Sequence, residues 1–136
     1  MAPNAVAGPD NMKRSMENRI IAFAATRKPA AALDFYNGLL GLRLIEENPF
    51  ALVFDGGGTM VRIQIVEKLT PASHTVLGWS VDNIEKAIQH LSERGIKMER
   101  FEGMGQDRFG VWQSLAGAKV AWFKDPDANT LSLTEF

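Results

Sequence analysis

The chain has 136 residues, of which 46% are apolar and 23% charged, and its formal net charge is −1. These values are ordinary for one compact domain with its own core, and the near-neutral charge gives no reason to expect a nucleic acid or an anionic membrane as a partner. Because cysteine is absent, disulfides, thiolate metal ligands and a cysteine nucleophile are excluded.

Residues 1–18 are predicted to form a flexible tail. They mix Pro, Asn, Gly, Lys and Arg and hold no apolar segment of the kind that a signal peptide requires. No apolar run in the chain approaches the roughly 20 residues of a membrane span. A cytoplasmic location is therefore the expectation, and a start of translation at Met12 or Met16 stays open.

The first predicted repeat spans residues 19–66 and opens with a strand at 19–25. A helix follows, because apolar residues recur at helical spacing; they are Ala32, Leu33, Tyr36, Leu39 and Leu40. Gly41 ends this helix, since glycine adopts the left-handed conformation without a Cβ penalty. Three strands are predicted next, at 42–46, 50–55 and 59–66.

The second predicted repeat spans residues 75–136 and has the same order. Its opening strand at 75–81 leads to a helix that is capped by Asp82 or Asn83 and ends near Arg94. Strands are expected at 97–101, 119–124 and 130–136, and the segment 111–115 could also be extended. Residues 67–73, with Pro71 among them, form the linker between the repeats.

This order of elements predicts an α+β fold within a single domain, residues 19–136. Two βαβββ units are expected to form a half-open mixed sheet around a cavity, with the helices outside. Alternation along the strands directs one set of side chains towards the helices: Val61, Ile63, Ile65, Leu77, Trp79, Val81, Leu131 and Leu133. The opposite set should line the cavity: Ile21, Phe23, Arg62, Gln64, Val76, Gly78, Ser80, Ser132 and Thr134.

Arg62 is the residue around which we expect a ligand of the cavity to be organised. If Val61 and Ile63 face the helix, Arg62 must face the cavity, where its planar fork of donors matches a carboxylate or phosphate. Two alternatives are an internal salt bridge to Asp55, Glu46 or Glu135, and a side chain that extends out to water. The predicted ligand-binding residues are Arg62, Gln64, Phe23, Ser80, Ser132 and Trp112. The loop with Trp112 could instead pack on a dimer partner.

Three segments of the chain resemble one known superfamily. They are Phe35-Tyr-Asn-Gly-Leu-Leu-Gly-Leu42, Ser80-Val-Asp-Asn83 and Trp122-Phe-Lys-Asp-Pro-Asp127. Together with the duplicated unit, they resemble the glyoxalase/bleomycin resistance protein/extradiol dioxygenase superfamily, also called vicinal oxygen chelate, from about Arg19 to the C-terminus. The chain departs from the pattern at Ala128, where the superfamily usually has glycine, and Asn129 could then carry the left-handed residue.

The resemblance implies a divalent metal held by His, Glu or Gln side chains of the opening and closing strands of both halves. Those positions are carried over to Ile21, to Arg62 or Gln64, to Val76 and to Ser132. Isoleucine and valine cannot ligate a metal, serine is a poor neutral ligand, and arginine adds a like charge. His74 could reach a metal-ligand position only if the strand register were shifted. The prediction is therefore no metal and no cofactor.

Three functional hypotheses remain. The first is a metal-free protein of the bleomycin-resistance type that binds a small molecule, with an anion as the expected class. The alternative is a metal-dependent lyase, isomerase or dioxygenase with an atypical metal site, so whether the protein is an enzyme stays open. The third is a fold kept for protein–protein interaction. We expect a homodimer, because open sheet edges are commonly covered in oligomers, and neither nucleic acid nor a membrane as a partner.

Overall fold

The computed structural model of the protein describes residues 18–136. The predicted flexible tail, apart from its last residue, lies outside the described residues, as do the alternative starts at Met12 and Met16. Within the described part, no helix is both long and apolar enough to cross a membrane.

The first half of the described chain contains one helical segment and four strands. The helix α1 (Pro29–Leu33) continues directly as a π-helical turn, Asp34–Leu39. Gly41 follows with a φ of 75°, which is the left-handed conformation expected for it. The strands are β1 (Ile21–Thr26), β2 (Arg43–Glu47), β3 (Ala51–Asp55) and β4 (Met60–Ile65).

The second half repeats this order. The helix α2 (Ile84–Ser92) is capped by Asn83, whose side chain accepts a hydrogen bond from the Lys86 amide at 3.0 Å. The strands are β5 (Thr75–Ser80), β6 (Trp112–Gln113), β7 (Lys119–Lys124) and β8 (Thr130–Glu135).

Each half forms a four-stranded mixed sheet, in the orders β1-β4-β3-β2 and β5-β8-β7-β6. The opening and closing strands of each half pair in parallel, whereas the other pairs are antiparallel. Strands β1 and β5 contact each other where the two sheets meet. The predicted α+β class with two βαβββ units is confirmed.

The strand predicted at 97–101 was wrong. Only the Glu99 amide from this segment bonds to β7, at the Trp122 carbonyl, and the third strand of the second half is the short β6 instead. Side chains take up the polar groups of this loop. The amide of Gln106 donates to the Glu99 and Gly110 carbonyls, and the guanidinium of Arg100 donates to the Asp107 and Arg108 carbonyls. Because side chains satisfy this backbone, a longer strand pairing is not needed.

The helix-covered faces of both sheets share one hydrophobic core. Ile63 on β4 and Leu131 on β8 are both completely buried in it. Aromatic rings connect the halves, since the Phe35 ring lies 6.4 Å from that of Phe123, which is 6.1 Å from Trp79. The predicted orientation of the apolar strand residues towards the helices is confirmed for Val61, Ile63, Leu131 and Leu133.

A turn at residues 125–129 also joins the halves through buried polar contacts. The Tyr36 hydroxyl donates to the Asp125 carboxylate at 2.6 Å, and the Asn129 side chain donates to the Ala25 carbonyl at 2.8 Å. Burial, with the Asp125 carboxylate beside it, raises the pKa of Tyr36 and keeps this donor protonated. The left-handed residue of the turn is Ala128, with a φ of 66°. The alternative that Asn129 carries it was wrong, because both its amide and its side chain bond to Asp125.

Candidate functional site

The sheet faces opposite the helices form what we call the open face. Because the helix-covered faces of both sheets meet in one core, the open face of each half points away from that core. In the first half it carries apolar side chains with large exposed fractions, 44% for Ile21 and 50% for Phe23. Exposed apolar surfaces are common at ligand-binding and protein–protein contact sites.

Arg62 occupies the centre of the open face in the first half. It lies on β4 between Phe23 of β1 and Val53 of β3, and its neighbours along the strand, Val61 and Ile63, are buried in the core. The Arg62 side chain is half-buried. Alternation along β4 therefore directs it to the open face.

Within the described residues, Arg62 makes neither an ion pair nor a side-chain hydrogen bond. The three carboxylates considered as its partners bond elsewhere. Asp55 pairs with Arg43 at 3.2 Å, Glu46 accepts from the Asn48 side chain, and Glu135 accepts from the Ile84 amide and lies 3.9 Å from Lys119. The Gly58 amide, followed by Arg43, lowers the pKa of Asp55. The internal salt bridge proposed as an alternative role is therefore absent from residues 18–136.

Ser132 is the polar residue at the centre of the second half. Only 7% of its surface is exposed, and it pairs with Gly78 on one side and Trp122 on the other. A Cβ atom at Gly78 would lie 2.6 Å from the Ser132 hydroxyl, so glycine leaves the space that this hydroxyl occupies. Between residues 18 and 136 the hydroxyl has no hydrogen-bond partner, which is uncommon for a buried polar group.

Three aromatic side chains form a cluster beside Ser132. The Trp122 ring lies 5.5 Å from that of Phe101, edge to face, and 6.2 Å from that of Trp112. The Trp122 indole donates to the Thr75 hydroxyl at 3.2 Å. Trp122 and Phe101 were not among the predicted site residues. Alternation along β7, where Ala121 and Phe123 are buried, could have placed Trp122 on the open face.

The structure brings the predicted site residues together in two groups, one on each half. Phe23 and Arg62 are neighbours across β1 and β4, and Gln64 follows on β4 with an exposed side chain. In the other half, Trp112 and Ser132 both adjoin Trp122, whereas Ser80 is exposed near the end of β5.

Val76 does not take the inner position predicted for it. The pairing of β5 with β8 shifts by one residue between Thr75 and Leu77, and Val76 packs against the core. Thr75, bonded to Trp122, lies on the open face instead. A bulge of this kind reverses the alternation on one side of it, and no residue type in the sequence marks its position.

Comparison with known proteins agrees with the duplicated architecture. The model of the Glyoxalase/Bleomycin resistance protein/Dioxygenase superfamily matches residues 20–133. The chain belongs to this superfamily. A comparison with curated proteins finds no match.

Several solved structures share the fold at low sequence identity. A lactoylglutathione lyase from Agrobacterium tumefaciens aligns with a TM-score of 0.67 at 14% identity, over 87% of this chain and 92% of that one. A superfamily member from Sphaerobacter thermophilus aligns with a TM-score of 0.67 at 22% identity, over 88% and 97%. A glyoxalase family protein from Enterococcus faecalis gives 0.65 at 24% identity, over 86% and 94%.

The residues at the superfamily's metal positions do not fit a divalent ion. Ile21 and Val76 offer no donor atom, and Arg62 carries a like charge. Ser132 and Gln64 supply neutral oxygens only. In the part of the chain that the structure describes, no three His, Asp or Glu side chains are grouped as a metal site would require. His74 is exposed and belongs to no such group.

Proposed function

We propose that this superfamily member binds a small organic anion on its open face without a metal ion. The observation that carries the proposal is Arg62: the residue is half-buried, and its guanidinium has no hydrogen-bond or ion-pair partner among residues 18–136. A charge that loses hydration costs several kcal/mol unless it is paired. Since the planar guanidinium matches a carboxylate or phosphate through two parallel bonds, an anionic ligand is its natural counterpart.

The other open-face residues favour a flat apolar body on that ligand. Phe23 beside Arg62 and the cluster of Trp112, Trp122 and Phe101 offer aromatic surfaces for stacking. The Ser132 hydroxyl, which is buried and unbonded within residues 18–136, is available to a polar group of the ligand. Gln64 and Ser80 would add exposed polar contacts at the edges. A mostly apolar surface with a few polar groups is typical of small-molecule sites.

A second copy of the chain is proposed to cover the open face and complete the site. The exposed apolar residues Ile21, Phe23 and Met60 lie together across β1 and β4, and Ile20 just before β1 is 77% exposed. A partner that buries them would also exclude water from Arg62 and strengthen its contact with an anion. Light scattering at working concentration is the check, and a monomer would contradict this part. We also propose, from the sequence alone, that the protein is cytoplasmic.

The test of ligand binding is thermal unfolding of the protein against a panel of small aromatic carboxylates and phosphates. A ligand at one hundred times its dissociation constant should stabilise the wild type by about 2.7 kcal/mol. The variant Arg62→Ala should lose this stabilisation. Arg27→Ala, which removes an exposed arginine of the same half, should keep it.

If a ligand protects wild type and Arg62→Ala equally, the role assigned to Arg62 is wrong. Metal content, measured on protein purified without chelators, separates the proposal from the lyase, isomerase or dioxygenase alternative. About one tightly bound divalent ion per chain, lost on replacing Gln64 or His74, would overturn the metal-free site.

A further inference from the structure

A groove lies on the opposite side of the second half from the open face. It runs between α2 and the loop 96–109, has a volume of about 710 Å³, and no residue that lines it belongs to a strand. This volume is within the range of roughly 300–1,000 Å³ that small-molecule sites occupy. We call it the α2 groove.

The floor of the α2 groove is apolar. Ile88 on α2 and Ile96 after it are 6% and 7% exposed, and Met98 beside them is half-buried. Ile88 and Ile96 belong to the hydrophobic core, so the floor is backed by packed side chains and keeps its shape.

The rim of the groove is predominantly cationic. Lys86, Lys97 and Arg108 line it, and Glu85 is the single acidic residue among the lining side chains. The ion pairs of residues 18–136 are Arg43–Asp55 and Lys119–Glu135, so none of these three cations is neutralised by a carboxylate within that range. Positive charge around an apolar floor complements a ligand that is apolar at one end and anionic at the other.

Two contacts hold the loop side of the rim in place. The guanidinium carbon of Arg108 lies 4.8 Å from the centre of the Phe109 ring, a cation–π contact that limits its freedom. The Arg100 guanidinium donates to the carbonyls of Asp107 and Arg108, which fixes the loop on which Arg108 lies. A cation held in position loses less conformational entropy when it binds an anion.

We infer that the α2 groove is a second binding site, separate from the open face, and that it takes an amphipathic carboxylate. The apolar part of the ligand lies on Ile88, Ile96 and Met98. The carboxylate lies at the rim, between Lys97 and Arg108. This inference does not depend on the proposed function, because the two sites share no residue.

The test is calorimetric titration of the protein with octanoate, with neutral 1-octanol as the matched compound. Octanoate should bind saturably and 1-octanol at least tenfold more weakly, because only octanoate carries the charge. The double variant Lys97→Gln/Arg108→Gln should raise the dissociation constant for octanoate about tenfold. Gln89→Glu, a replacement of equal size at the exposed wall of the groove, should weaken binding through repulsion.

Lys68→Gln removes an exposed charge outside the groove and should leave octanoate binding unchanged. Absence of saturable octanoate binding to the wild type would overturn the inference. A loss of affinity in Lys68→Gln equal to that in the double variant would overturn it as well. If Arg62→Ala loses octanoate binding while the groove variants retain it, octanoate binds on the open face. That result would refute the α2 groove as its binding site and leave the proposed function intact.

Discussion

The two halves of the chain have the same topology but differ in the side chains that they leave on the open face. In the first half the central residue is Arg62, a cation with no bonded partner among the described residues, next to the exposed Phe23. In the second half the residue on the equivalent closing strand is Ser132, buried between Gly78 and Trp122. The duplication therefore preserves the backbone and the core, whereas the open face has diverged into a charged part and an aromatic part.

The helix-covered faces should respond alike in both halves, because they share one core. Ile63→Ala on β4 and Leu131→Ala on β8 each remove a fully buried side chain. We expect each to lower the free energy of unfolding by about 2–5 kcal/mol. Chemical denaturation should show a single transition for both variants, since neither half has a core of its own.

Leu115→Ala is the matched control, because Leu115 is fully exposed and its loss should change stability by less than about 0.5 kcal/mol. Two separate transitions in either core variant would mean that the halves unfold independently. The description of one shared core would then fail.

The open face of the second half should be sensitive to a single methyl group at Gly78. The added Cβ would lie 2.6 Å from the Ser132 hydroxyl, which must rotate away, and Gly78→Ala should destabilise the protein by about 0.5–1.5 kcal/mol. In the double variant Gly78→Ala/Ser132→Ala the hydroxyl is gone, and thermal unfolding should recover most of the loss. If the double variant instead shows the sum of the stability changes of the two single variants, the Ser132 hydroxyl is not what limits the space for a methyl group at position 78.

The turn that joins the halves should become more stable when Ala128 is replaced by glycine. Ala128 has a φ of 66°, a conformation that costs a residue with a Cβ roughly 1–2 kcal/mol. Part of the gain is offset by the greater entropy of glycine in the unfolded chain, so we expect Ala128→Gly to stabilise by about 0.5–1 kcal/mol. Denaturant midpoints would measure it. A destabilised variant would mean that the Ala128 methyl group makes a contact worth more than the strain.

Much of the fold could be predicted from local patterns. The glycine at position 41 and the cap at Asn83 bound their helices as expected, and the buried positions of β4 follow a period of two. One failure occurred where side chains replace backbone pairing. Ile96 and Met98 alternate with polar residues as in a strand, but Arg100 and Gln106 bind the backbone of their loop and hold it irregular.

The candidate site was predictable only in part. The alternation of side chains along β4 assigned Arg62 to the open face without any structure. If Arg62 faced the core, Val61 and Ile63 would be exposed to water. The lack of a partner for Arg62 among residues 18–136 could not be deduced, since Asp55 and Glu135 were equally plausible partners until their own bonds were known. The cluster around Trp122 also required the structure, because Phe101 and Trp112 are distant from it in the chain.

The sequence by itself determined the two repeats, the positions of the helices and the apolar face of the closing strands. These properties depend on residue type and local spacing, which the chain carries directly. Only the tertiary structure decided that the two helix-covered faces merge into one core, that a bulge turns Val76 towards it, and that the α2 groove exists. Each of these depends on which distant segments meet, and contact between distant residues is set by the packing of the whole domain rather than by any local pattern.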